Sequence, residues 1–371
     1  MFKIPINYQK RIPGLDLART IAICLVIFAH SLWISTHFPP LVSWFMQLSG
    51  TIGVEVFFVI SGYLIGGIIL KMINQENFSI KIIFQFLKRR WFRTLPNYYF
   101  VLLLNVLLWY IIYKEIPAKL GLYFFYLQNL TTTSPAFFRI AWSLAVEQFC
   151  YIIAPFFIFF LIKLFPNKSR SLLFLWVSLL VIGLLTFVRI QFHFTHTLTS
   201  LVNWNESLRK VTLYRLDAIY YGFILCYCLS KNYHNEKYNK LLFVIGLFSV
   251  FILHVFIFAI GISIQNNPFF FNVLFLPLNS FAICFMIPFL IKLEIKSQFI
   301  LKWVSLISVL SYSIYLLHYT IILHSIKTFF PSDNLIGFTL FAYTLGYWFL
   351  VLIISALQFK YFEKPLTNLR D

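Results

Sequence analysis

The chain has 371 residues, of which 60% are hydrophobic, 20% aromatic and 11% charged, and its formal net charge is +18. Soluble domains carry about 25% charged residues, so a water-soluble globular domain is excluded. With a mean hydropathy of +0.83 and repeated long apolar runs, the chain reads as an integral membrane protein.

Ten candidate spans follow one another, at roughly 14–36, 48–70, 94–113, 140–162, 171–191, 211–230, 241–261, 271–291, 303–326 and 336–358. The expected fold is an all-α polytopic membrane protein with about ten transmembrane helices. It forms a single membrane-embedded domain over residues 1–371, with no appended soluble domain. The first run is flanked by Lys3, Lys10 and Arg11. It lacks a small-residue cleavage site and is interrupted by Arg19 and His30, so it reads as an uncleaved span rather than a signal peptide. Residues 120–130 (LGLYFFYLQNL from Leu120) are apolar but too short to span easily, and are expected to be re-entrant or interfacial.

The charge sets the orientation. With the N-terminus inside, the inner segments hold 21 of the 30 Lys and Arg residues. The outer segments hold 6 (Lys114, Lys119, Arg139, Arg209, Lys210 and Lys327), and Arg19, Arg189 and Arg215 lie within spans. Such a bias is the positive-inside signature. It predicts that both termini are cytoplasmic and explains the basic pI of 9.7 without nucleic-acid binding. No nucleic-acid, Walker or Rossmann motif and no internal repeat is present. Five cysteines (Cys24, Cys150, Cys226, Cys228 and Cys284) fall in spans and read as free thiols behaving as small hydrophobes. The two of the 226–228 CxC lie about 200° apart on a helix and cannot easily share a metal, and no metal site is expected.

The informative residues are polar ones at membrane depth, where each charge costs roughly 2.5–3.5 kcal/mol. His30, Glu55, Ser143, Glu147, Arg215, Asp217 and His318 come from five spans, and the topology puts them in one layer in the outer half of the bilayer. The opposite layer is basic. Arg19 precedes His30 by eleven residues, which turns a helix three times plus about 20°, so the two share a face about 16 Å apart. Lys88, Arg89, Arg90 and Arg93 crowd the cytoplasmic start of the third span, with Arg90 and Arg93 at i, i+3 on one side. Guanidinium groups bind phosphates through charge-assisted hydrogen bonds, and an oriented imidazole takes protons from hydroxyls. The pattern predicts a polar pathway across the bilayer, with an anionic donor inside and a hydroxyl acceptor outside.

At these residues the chain resembles the acyltransferase-3 family of bacterial integral membrane O-acyltransferases, over nearly its whole length. "RIPGLDLARTIAICLVIFAH" carries the family's Arg-x10-His spacing at Arg19 and His30, and "KRRWFR" its RxxR at Arg90 and Arg93. "GVEVFFVISGYLI", "WSLAVEQFCYIIAP", "YRLDAIYYG", "SYSIYLLH" and "FEKPL" match further stretches in order. Ala145, where Ser is commoner, and the inserted Cys150 are the departures. The resemblance implies transfer of an acyl group, usually acetyl, from cytoplasmic acyl-coenzyme A to a hydroxyl of a surface or lipid-linked carbohydrate, lipopolysaccharide O-antigen among them. The lipid bilayer expected is the bacterial inner (cytoplasmic) membrane. Acyl-CoA is a co-substrate; no tightly bound cofactor is expected.

His30 is then the general base or a transient acyl carrier, oriented by Glu147 or Glu55, with Glu147 preferred. Arg19, Arg90 and Arg93 bind the donor. Trp142, Ser143, Arg215, Asp217 and His318 support the acceptor side, and Asp16 stabilises the first turn of the first helix. Two other readings stand beside this one: a transporter or flippase for a lipid-linked sugar, and a silent scaffold for glycan assembly.

Overall fold

A computed structural model describes residue 8, residues 11–233 and residues 235–369. The cations Lys3, Lys10 and Arg370 that contribute to the orientation signal lie outside them. The described residues are helical, without strands. Ten helical elements carry the fold: α1 (Pro13–Ser31), α2 (Pro40–Ile73), α3 (Ile80–Tyr113), α4 (Arg139–Leu164), α5 (Arg170–Thr195), α6 (Asp217–Ser230), α7 (Glu236–Ala259), α8 (Phe270–Lys292), α9 (Gln298–Phe329) and α10 (Gly337–Asn368). All except α6 are long and apolar enough to cross a membrane, so nine of the ten expected spans are met among the described residues. The exception falls on the span expected at 211–230. Only its 14 residues from Asp217 form an α-helix, about 21 Å long; residues 205–214 before it form a π-turn and a 3-10 turn.

Pro13 starts α1, where its missing N–H costs nothing, and Asp16 sits in the first turn. Asp16 also accepts two hydrogen bonds from Arg11 and one from Ser308 of α9 at 2.8 Å. It therefore ties the start of α1 to α9 as well as complementing the helix dipole. α1 lies between α2 and α9, and α6 makes its largest contact with α2. That contact is backbone to backbone. A Cβ on Gly62 would lie 2.1 Å from the carbonyl oxygen of Ile219, and one on Gly222 would lie 2.5 Å from that of Val59. Only glycine lets a short helix with little surface of its own dock this closely.

Residues 120–130 fold inward. The Tyr98 hydroxyl of α3 donates to the Tyr123 carbonyl at 2.8 Å, and both side chains are fully buried. Asn129, also fully buried, donates to the carbonyls of Trp142 (3.2 Å) and Lys210 (2.8 Å). This segment thereby brings the start of α4 into the bundle. All five cysteines are free. Large apolar side chains such as Trp176, Leu180 and Phe187 point outward, as a bundle surrounded by lipid requires.

Gly222→Leu is expected to separate α2 from α6 and abolish the monodisperse folded protein in detergent. Accumulation with the thermal stability of the unchanged protein would contradict the close-packing account.

Candidate active site

A cavity of about 310 Å³ opens between α1, α2, α3, α4, α9 and α10. Its walls carry Arg11, Arg19, Arg90, Arg93 and Lys364 against two carboxylates, Glu147 and Glu363. The expected donor residues Arg19, Arg90 and Arg93 are thus brought together from α1 and α3, whereas Lys88 and Arg89 of the same run stay outside. The Arg19 Nε is buried and has no hydrogen-bond partner. At its far end the cavity reaches Ser143 and Tyr315, whose hydroxyls lie 2.7 Å apart.

One helical turn beyond Tyr315 stands a pair of histidines. His318 Nε2 lies 3.1 Å from His30 Nδ1, and the ring centroids are 4.7 Å apart. The backbone sets the protons on this pair. His318 Nδ1 meets the carbonyls of Tyr315 at 2.7 Å and Ile314 at 3.1 Å, and His30 Nδ1 meets that of Val26 at 2.9 Å. Carbonyl oxygens only accept, so each Nδ1 carries a hydrogen, and His318 Nε2 is left as an acceptor for the His30 Nδ1–H. The lone pair of His30 then resides on Nε2, which no described protein group engages. His318 arises from a π-turn (His318–Leu323) inside α9; such turns frequently mark functional positions. The Tyr347 hydroxyl donates to the His318 carbonyl at 3.3 Å. Ten residues of α10 precede Tyr347, so the pair sits about 15 Å inside that end of the bundle.

The expected carboxylate partners of His30 are elsewhere. The span topology read from the sequence places Glu147 at the depth of His30, with the fourth span starting at the outer membrane surface. The inward fold of 120–130 instead starts α4 deep, and Glu147 lies a turn beyond Ser143, away from His318. Its neighbour Gln148 donates to the Thr94 hydroxyl at 3.1 Å, and Tyr312 donates to the Thr94 carbonyl at 2.9 Å. The six residues from Tyr312 to His318 put this level about 9 Å from the histidine pair. Glu147 accepts from Ser61 (2.9 Å) and Tyr151 (3.1 Å) in the basic cavity.

Glu55 is fully buried and ion-paired with Arg215 at 2.5 Å, and it accepts from Ser280 at 3.1 Å. Arg215 also lies 3.8 Å from Asp217, which pairs with Arg189 at 2.7 Å. Glu55, Arg215, Asp217 and Arg189 thus form a buried, charge-balanced quartet joining α2, α5 and α6. Glu55 pairs with Arg215 rather than orienting His30, and the charges of Asp217 and Arg215 are engaged within the quartet. Buried ions need partners, and the sequence offered no distance by which to prefer one pairing over another.

Trp142 is buried, with the Phe58 ring at 5.9 Å and the Arg209 guanidinium over its face at 5.2 Å. Sequence reasoning missed Glu363, which accepts from Asn97 (2.8 Å) and Ser313, and it missed Arg209. In the sequence Glu363 is marked only by the "FEKPL" stretch, and Arg209 carries the signature of an ordinary outer-segment cation. Among the described residues no cluster of three or more His, Cys, Asp or Glu side chains is placed to hold a metal ion.

Residues 12–358 match the family described as Acyltransferase domain. The O-acetyltransferase OatA of Staphylococcus aureus is 27% identical over 387 aligned residues, covering 97% of this chain and 58% of that protein. The putative peptidoglycan O-acetyltransferase YrhL of Bacillus subtilis is 30% identical over 193 residues, covering 47% of this chain and 28% of its own length. The peptidoglycan O-acetyltransferase OatA of Listeria monocytogenes is 31% identical over 179 residues, or 44% and 27%. The chain therefore spans 58% of the length of the Staphylococcus relative. No solved structure is a significant match.

Glu55→Gln removes one charge of the quartet and strands Arg215, a loss of about 3–5 kcal/mol. A lowered unfolding temperature in detergent is expected. Wild-type stability with abolished activity would instead make Glu55 a reacting group.

Proposed function

The chain belongs to the acyltransferase family that matches residues 12–358, and from that premise we propose that it transfers an acetyl group from cytoplasmic acetyl-CoA to a carbohydrate hydroxyl on the outer side of the bacterial cytoplasmic membrane. Both termini are cytoplasmic in this reading, and residues 1–371 act as one membrane-embedded unit. Two of the relatives are named for peptidoglycan. A cell-wall glycan or its lipid-linked precursor is accordingly a better acceptor than lipopolysaccharide O-antigen. Family membership also favours group transfer over the transport and scaffold readings.

The observation that carries the proposal is the basic cavity ending one helical turn from an oriented imidazole pair. Arg19, Arg90 and Arg93 offer planar donors to the phosphates of coenzyme A. The thioester then extends toward Ser143 and Tyr315. His30 Nε2 takes the proton of the acceptor hydroxyl as its oxygen bonds to the thioester carbonyl carbon. The C–S bond breaks, and the proton passes from His30 to the leaving thiolate, giving the ester and coenzyme A. While His30 is cationic, its Nδ1–H is held by the Val26 carbonyl and His318 Nε2. His318 thus fills the orienting position that the sequence pattern gives to a carboxylate. A transient acyl-His30 formed at the same nitrogen uses the same geometry.

The test is acetyl transfer and acetyl-CoA binding by purified variants. His30→Ala is expected to abolish transfer while still binding acetyl-CoA. Arg93→Ala is expected to weaken that binding about 10- to 100-fold, the value of one charge-assisted hydrogen bond. Full transfer by His30→Ala would refute the chemistry. Unchanged affinity in Arg19→Ala, Arg90→Ala and Arg93→Ala alike would refute the donor site.

A further inference from the structure

On the His30 side of the bundle, Arg209 is the one buried cation left unbalanced among the described ion pairs. Arg189 and Arg215 are neutralised by Asp217 and Glu55, and Lys210 by Glu206 at 2.5 Å. Arg209 is 6% exposed and joins no ion pair. Its two terminal nitrogens donate to neutral oxygens, Asn205 Oδ1 and the Gly50 carbonyl, each at 3.2 Å, and its Nε is buried without a partner. Burial pushes its pKa down to about 10, with Arg215 adding to the fall and Glu55, Tyr315 and Glu206 opposing it. It remains a cation at neutral pH. An unneutralised buried charge is costly, so the site calls for an anion.

Arg209 is also next to the reacting groups. Gly50, whose carbonyl it binds, abuts Ala29: a Cβ on Gly50 would lie 2.9 Å from the Ala29 Cβ, one residue from His30. The guanidinium lies over Trp142, which precedes Ser143 at the end of the donor cavity. Arg209 therefore faces the histidine pair from the side opposite to Arg19 and Arg93. Its π-turn, Asn205–Arg209, follows Trp204, whose ring stands 5.7 Å from that of Phe275. Against Phe275 lies His254 at 5.4 Å, whose buried Nε2 has no partner; nor does Asn272 Oδ1. Each of these two polar side chains also sits in a π-turn. Unpaired amide and imidazole atoms suit hydroxyl groups, and an unpaired guanidinium suits an oxyanion.

We propose that Arg209, with His254 and Asn272 behind it, forms an acceptor subsite that selects a carbohydrate carrying an anionic group near the hydroxyl to be acylated. The inference rests on the acyl-transfer reading and specifies its acceptor. The anion is either a carboxylate on the sugar or a phosphate joining the sugar to a lipid carrier; the recognition chemistry is the same.

Three acceptors compared with the full-length protein in detergent test it: a neutral N-acetylglucosamine oligosaccharide, the same oligosaccharide bearing a sugar carboxylate, and the same linked through pyrophosphate to a lipid. The unchanged protein is expected to prefer at least one anionic acceptor by about 10- to 100-fold in kcat/KM, and which one identifies the source of the anion. Arg209→Gln is expected to bring that ratio near one with acetyl-CoA affinity retained, and Arg209→Lys to restore part of it. Acetyl-CoA affinity reports folding independently of the acceptor. Transfer without preference by the unchanged protein, or an unaltered ratio in Arg209→Gln, overturns the subsite alone. No transfer to any acceptor overturns the functional reading and this inference with it.

Discussion

The ion pairing of Glu55 with Arg215 and of Asp217 with Arg189 is the interaction on which the rest of this bundle depends. An apolar interior permits charge only where it is compensated. Four full charges are balanced here at the junction of α2, α5 and α6, beside the glycine contact that lets α2 and α6 touch. α6 is too short to be held by apolar surface alone, and the quartet fixes it in place. Once these four are accounted for, the charges that remain unbalanced are informative. Among the described residues Arg19 and Arg93 of the cavity join no ion pair, nor does Arg209, and they stand on either side of the histidine pair.

The histidine pair shows how a base can be oriented at membrane depth without a second carboxylate. A carboxylate beside His30 would add a charge that a short bundle must desolvate. A neutral imidazole whose Nδ1–H is anchored by backbone carbonyls supplies an acceptor of fixed direction at lower desolvation cost. The π-turn from which His318 projects displaces its backbone from the regular α-helical path, and a local widening of this kind lets two ring nitrogens meet at 3.1 Å.

Much of this was legible in the sequence, and the limits have physical causes. The helical membrane fold follows from apolar runs of span length. The opposition of Arg19 and His30 on one face follows from their spacing of eleven residues. The clustering of Arg19 with Arg90 and Arg93 was readable from positive residues at one membrane level. Depth is not readable where the chain does not run straight: 120–130 folds inward, so Glu147 belongs to the donor cavity rather than to His30. Pairing was not readable at all. Glu55 had His30, Arg189 and Arg215 as conceivable partners, and only three-dimensional distance selects Arg215. Arg209 was missed because a cation in an outer segment has the same sequence signature whether it is solvated or buried over Trp142. The sixth expected span, 211–230, is shortened to α6 because Arg215 is drawn into the quartet and Arg209 lies buried over Trp142 instead of marking the end of a long helix.

The central claim is that donor and acceptor meet at His30 from opposite faces of the membrane. The most direct measurement is acetyl transfer in sealed proteoliposomes of known protein orientation, with acetyl-CoA and a membrane-impermeant glycan acceptor each confined to one chosen side. The account predicts transfer only when acetyl-CoA is on the side of Arg90 and Arg93 and the acceptor is on the other. Transfer that requires both substrates on one side would contradict it.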